Sequence, residues 1–146
     1  MTWSCTLLIL AGCAGSPATP DGSTPTGDHA SRLAPCPALP NCVLSDAANP
    51  VHAIAPIRLS GSAAETWRAL LAHLESDSQY TIIARGDDYV RAEARTRVVG
   101  FVDDVEFLLR EERGEIAVRS ASRVGLFDLG VNRIRIEGVR RALDGA

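Results

Sequence analysis

Ser62-Ala63-Ala64-Glu65-Thr66-Trp67-Arg68-Ala69-Leu70-Leu71-Ala72-His73-Leu74-Glu75-Ser76 reads as a helix from its first residue to its last. Ser62 and Glu65 have the spacing of a capping box, in which a hydroxyl and a carboxylate each satisfy a free amide of the first turn. Trp67, Leu70, Leu71 and Leu74 follow at i, i+3, i+4 and i+7, an apolar stripe that faces a core. His73 falls off the stripe and is expected in solvent. Downstream the period changes to that of strands. Tyr80 to Arg85 and Asp88 to Thr96 flank a tight turn at Gly86-Asp87. Tyr89, Val90, Ala92 and Ala94 mix with Arg91, Glu93 and Arg95, an alternation with one wet face. Phe101 to Arg110 and Glu115 to Ser122 make a second pair around Gly114. Gly125 to Gly130 reads as a loop carrying Leu126-Phe127. Asn132 is placed to cap a last helix with Ile136, Val139 and Leu143 on one face, although Gly138 disfavours it. Upstream, His52 to Ser60 supplies a short edge strand interrupted by Pro56. The order is β-α-β-β-β-β-α, an α+β fold in which an antiparallel sheet of four to five strands carries two helices on one face.

The bulk numbers agree with one small domain and a tail. Hydrophobic residues make up 46% of the 146 residues, enough for one core. The formal net charge is −3, from 15 basic and 18 acidic residues, so no basic excess favours nucleic acid. Every basic residue is Arg and none is Lys, which we attribute to composition drift rather than to selection for guanidinium forks.

The N-terminus reads as an address. Leu7-Leu8-Ile9-Leu10-Ala11 is an apolar run ending in Gly12-Cys13. It is shorter than the roughly 20 residues that span a bilayer and fits the hydrophobic part of a secretory signal. Leu10-Ala11-Gly12-Cys13 resembles the lipobox of bacterial lipoproteins. That resemblance implies a signal peptide at 1–12, cleavage before Cys13 and acylation of Cys13, giving lipid attachment to a membrane. It departs from the pattern in having no Arg or Lys between Met1 and Cys13. Ala14, where an Asp would retain an enteric lipoprotein at the inner membrane, favours the outer membrane. The expected location is the cell envelope, facing the periplasm.

Residues 13–35 read as the lipidated Cys and a flexible tether, rich in Pro, Gly, Ser and Thr, with Leu33 its only large apolar side chain past Cys13. The domain then spans 36–146. Cys36 and Cys42 are separated by Pro37-Ala38-Leu39-Pro40-Asn41. An export compartment and a short loop favour a structural disulfide. Zinc would need more ligands than the nearby His52, and the Cys-x-x-Cys spacing of a redox couple is absent.

Four ordered motifs resemble the domain-of-unknown-function family 1499: Cys36-Pro37 with Pro40-Asn41-Cys42-Val43; Gly100-Phe101-Val102-Asp103-Asp104-Val105-Glu106-Phe107; Arg119-Ser120-Ala121-Ser122-Arg123-Val124-Gly125; and Asp128-Leu129-Gly130-Val131-Asn132-Arg133. The likeness runs from about Pro35 to Leu143. The chain departs from it at Val43-Leu44-Ser45, where the family tends to have Val-Ser-Ser, and at Ile134, where a basic residue is common. No activity attaches to the family, so the resemblance implies fold boundaries and not chemistry.

The candidate site is a polar cluster of Asp103, Asp104, Glu106, Arg119, Ser120, Ser122, Arg123, Asp128, Asn132 and Arg133. Strand alternation puts Asp104 and Glu106 on one face and Asp103 on the other. Pairing through Gly114 brings Arg119 opposite a carboxylate. The favoured reading is a salt-bridge and hydrogen-bond network holding the 123–133 loop to the sheet, because charges are rarely buried unpaired. Two functional readings stand beside it. Arg119, Arg123 and Arg133 could receive a phosphate or carboxylate; Asp103, Asp104 and Glu106 could hold a hard cation, the weaker idea because alternation splits them. There is no Gly-x-Ser-x-Gly elbow, Walker loop or His-Glu-x-x-His, and no His lies beside Ser120 or Ser122. No metal or cofactor is expected. The sequence points to a non-catalytic envelope lipoprotein whose domain binds a small anionic or lipidic ligand or an envelope protein, or is structural. The alternative is an envelope hydrolase using Asp104 and Glu106.

Overall fold

A computed structural model of the chain describes residues 33–96 and 100–145. The signal at 1–12, the lipidated Cys13 and the tether up to residue 32 lie outside the described residues.

The architecture is α+β: a six-stranded antiparallel sheet with both described helices on one face. The strands are β1 (Cys42–Leu44), β2 (Ile57–Arg58), β3 (Tyr80–Arg85), β4 (Tyr89–Arg95), β5 (Val102–Arg110) and β6 (Glu115–Ser122). The helices are α1 (Ala63–Ser76) and α2 (Val131–Asp144). Strands β3 to β6 form a meander. β1 and β2 both pair along the outer edge of β6, Val43 opposite Ser120 and Ile57 opposite Ile116. The sequence reading lacks β1. Three residues are too few for an alternation to register, and both faces of this strand are covered, Val43 by the main core and Leu44 by a smaller cluster.

Local chemistry explains each element. Ser62 Oγ accepts from Glu65 N at 3.2 Å and Glu65 Oε2 accepts from Ser62 N at 3.1 Å, the expected capping box. Trp67, Leu70, Leu71 and Leu74 are buried as the stripe requires. They meet Val90, Ala92, Val105, Phe107, Ile116 and Val118 from the sheet and Ile136, Val139 and Leu143 from α2. The β5–β6 connection closes through a 3-10 turn at Glu111–Arg113 and Gly114, whose φ of 61° lies in the left-handed region that glycine tolerates. Between β3 and β4 the register shifts at Ile82 and Ala84, leaving Ile83 as an extra residue in the outermost strand.

Among the described residues, the other sheet face carries a small apolar cluster, Leu33, Leu44, Leu108 and Ala117. Leu33, within the segment read as tether, is thus packed against the sheet. Cys36 and Cys42 form a disulfide with a Cα–Cα distance of 5.7 Å, tying this entry segment to β1. Buried His52 places Nδ1 2.9 Å from Cys42 O. Among the described residues, no helix is long and apolar enough to cross a membrane.

Candidate functional site

The sheet divides the candidate cluster in two. On the face away from the helices, register sets Glu106 beside Arg119 on β6 and Arg91 on β4, and Asp104 beside Glu93. Arg119 Nη1 donates to Glu106 Oε2 at 2.7 Å and Tyr89 OH donates to Glu106 Oε1 at 2.8 Å. Arg123 grips Asp104 with Nε and Nη2, each at 2.9 Å, and reaches Glu93 at 2.7 Å. Arg91 Nη2 joins Asp104 Oδ1 at 2.9 Å. The Arg123 hydrogen bonds outweigh burial, and with help from Arg91 they hold the Asp104 carboxyl down at about 2. Burial, with Glu106 alongside, pushes the Tyr89 phenol up. Each guanidinium here faces a carboxylate: Arg91, Arg119 and Arg123 against Glu93, Asp104 and Glu106. The patch thus neutralises itself.

Beneath α2 lies a second group. Asn132, fully buried, accepts through Oδ1 from Ser120 Oγ at 2.6 Å and from Arg135 Nη1 at 2.7 Å. Its Nδ2 is 3.0 Å from Asn41 O, 3.0 Å from Ser122 Oγ and 2.8 Å from Asp128 Oδ2. Arg135 Nη2 donates to Asp103 Oδ2 at 2.5 Å, and Asp103 is 2% exposed. Asn132 is not the cap of α2. It sits inside the helix, whose N-cap is Gly130, and Asp128 just upstream accepts from Gly130 N at 2.9 Å and Asn132 N at 3.1 Å. Asn132 is instead needed in the core, where Ser120 and Arg135 require an acceptor. Asn41 Nδ2 donates to Gly125 O at 2.9 Å and anchors the base of the 123–130 loop.

Arg133 belongs to neither group. It donates to Ala53 O at 2.7 Å, while Arg140 donates to Ala55 O and Pro56 O, each at 2.7 Å. These arginines satisfy carbonyls of the segment leading into β2 and hold it against α2. Sequence reasoning missed Arg135, Asn41, Tyr89, Arg91 and Glu93. Arg135 had a signal, since it lies three residues after Asn132 on the inward side of the same helix.

The chemistry open to these groups is limited. Asp104 is firmly ionised and paired, unlike a general acid, whose pKa is raised. Ser120 and Ser122 hydroxyls meet Asn132 and Arg135, neither of which is a base. Among the described residues, no three His, Cys, Asp or Glu side chains gather as a metal site.

Beside the second group a half-open cleft of about 1140 Å³ runs between α2, the α1–β3 turn, the start of β5 and the 123–130 loop. Its walls are mainly apolar: Phe101, Val124, Phe127, Leu129, Ile134 and Val139. Phe127 and Leu129 are 71% and 92% exposed, so the loop does not fold its apolar side chains back onto the core. Leu129 also has a φ of 51°, a conformation a leucine adopts at a cost. His73 lines this cleft, half-buried and tilted against Tyr80 with ring centroids 5.9 Å apart, rather than standing free in solvent.

Residues 32–143 match the family described as "Protein of unknown function (DUF1499)". No curated protein and no solved structure matches the chain.

Proposed function

This chain belongs to the family of unknown function matched by its residues 32–143, and we propose that it is a lipoprotein of the cell envelope whose domain is a non-catalytic binding module. In this reading Cys13 carries the lipid, a tether within 13–35 follows it, and the domain faces the periplasm, with the outer membrane favoured. The observation that supports a binding role is the cleft beside α2, with apolar walls and exposed phenylalanine and leucine side chains at its mouth. Ligand sites are typically concave and largely apolar with a few polar groups, and exposed apolar clusters of this kind mark contact surfaces. The charged clusters serve as scaffold: one stiffens the open face of the sheet, and the other fixes α2 and the loop that wall the cleft. Nothing in the arrangement favours the hydrolase alternative.

Two measurements test the two halves of this reading. Labelled palmitate should enter the wild-type chain and not Cys13→Ser; recovery of unlabelled chain from the cytosol with reduced Cys36 and Cys42 would overturn the anchoring. Native mass spectrometry of the full chain extracted from membranes should show a small-molecule adduct that Ile134→Asp loses. Absence of any adduct on either protein, with no uptake of an added apolar fluorophore, would overturn the binding role.

A further inference from the structure

We infer that the cleft takes an anionic amphiphile, a single acyl chain bearing a carboxylate or phosphate head, with the head on Arg141 and Arg95. This rests on the reading of the cleft as a binding site and adds the chemical class of its occupant. The argument comes from which lining charges are already engaged. Asp103 is held by Arg135. Both oxygens of Asp128 accept from the start of α2. Asp77 accepts from Gln79 through both its oxygens, at 3.0 and 3.1 Å. Arg135 is consumed by Asp103, Ser120 and Asn132. Among the described lining residues two guanidiniums remain. Arg95 makes one hydrogen bond, to Gly100 O at 3.1 Å, and among the described residues neither Arg95 nor Arg141 has a carboxylate within ion-pair distance. Asp77 and Asp128 keep their charge but turn their oxygens onto neutral amides, whereas these two guanidiniums face no carboxylate among the described residues and stand beside walls that are mainly apolar.

Gly138 adds a second, independent observation. It is a poor helix residue in the middle of α2, yet it lines the cleft, and a Cβ there would meet only Arg141 Nη2, at 4.0 Å. The missing side chain keeps the floor open, and the Arg141 guanidinium lies back over that floor instead of extending away. An acyl chain would run along Phe101, Phe127, Ile134 and Val139. Each methylene buried there should tighten binding about threefold to fourfold, and the forked donors of arginine suit both carboxylate and phosphate.

The test uses the purified full chain and displacement of a fluorescent fatty-acid probe by monomeric tetradecanoate, tetradecyl phosphate, tetradecanol and tetradecyltrimethylammonium. The anions should bind at least tenfold more tightly than the alcohol, and the ammonium more weakly still. The contrast between tetradecanoate and tetradecyl phosphate identifies the preferred head. Arg141→Gln should bring the anions down to the level of the alcohol, while Arg58→Gln, on β2 beside Glu115, changes nothing. Gly138→Leu should abolish binding of all chains without lowering the melting temperature, which a merely structural glycine would not do. Equal binding of alcohol and anions, or anion binding that Arg141→Gln leaves intact, would overturn the anionic class while the cleft stands as an apolar site. Failure of all four probes to bind would remove the binding reading itself.

Discussion

Arg135 and Asp103 show how one missing partner propagates. Their side chains are 8% and 2% exposed, so removing the cation strands a carboxylate in the core. Arg135→Ala is expected to cost about 3–5 kcal/mol in urea unfolding, and adding Asp103→Leu to it should recover part of that loss. Asp104 behaves differently because it is paired on the open face. Its folded-state pKa, about 2, lies below the ordinary carboxylate range. Its contribution to stability is thus complete above that range and is lost as pH falls towards about 2. Asp104→Asn should flatten the dependence of stability on pH between about pH 4 and pH 2, measured by denaturant titration at each pH. The sequence revealed that Asp103 opposes Asp104 and Glu106, because strand alternation requires it. It did not reveal Arg135 as the partner of Asp103, since helix α2 reaches that carboxylate only through tertiary packing.

Helix α1 and the hairpins were legible because each is specified by its own residues: a cap, a stripe, a turn. Strand β1 and the start of α2 were not. β1 exists because β6 offers it an edge, and the disulfide and His52 hold it there. Replacing Cys36 and Cys42 by Ser should lower stability by about 2 kcal/mol through the freed unfolded chain, with unfolding compared to the oxidised protein. At α2 the cap position is Gly130, and the Asn132 side chain is taken up by the buried network instead. Gly138→Ala, in contrast, should stabilise the domain by about 0.5–1 kcal/mol, since helix propensity improves and the space is open. The melting temperature reads this directly.

The molecule as a whole has a sheet with unequal faces. One bears the core and the helices, the other a neutral ionic mesh and a small apolar cluster under Leu33. The cleft is assembled from segments between His73 and Arg141 that are distant in sequence. No local pattern announces it, and Leu126-Phe127 was its only hint. Its apolar mouth should respond to substitution without harm to the fold: Ile134→Asp, at a 65% exposed site, is expected to change stability by less than about 0.5 kcal/mol while ablating uptake of an apolar fluorophore. The sheet ends at β3, whose outer side is not hydrogen-bonded to another described strand. An unpaired margin of this sort invites neighbouring copies to zip on and grow fibres. The extra Ile83 kinks that margin, and Arg85, held by Glu75, puts charge at its end. Straightening the kink by deleting Ile83 would give crowded copies a flat template on which to self-assemble.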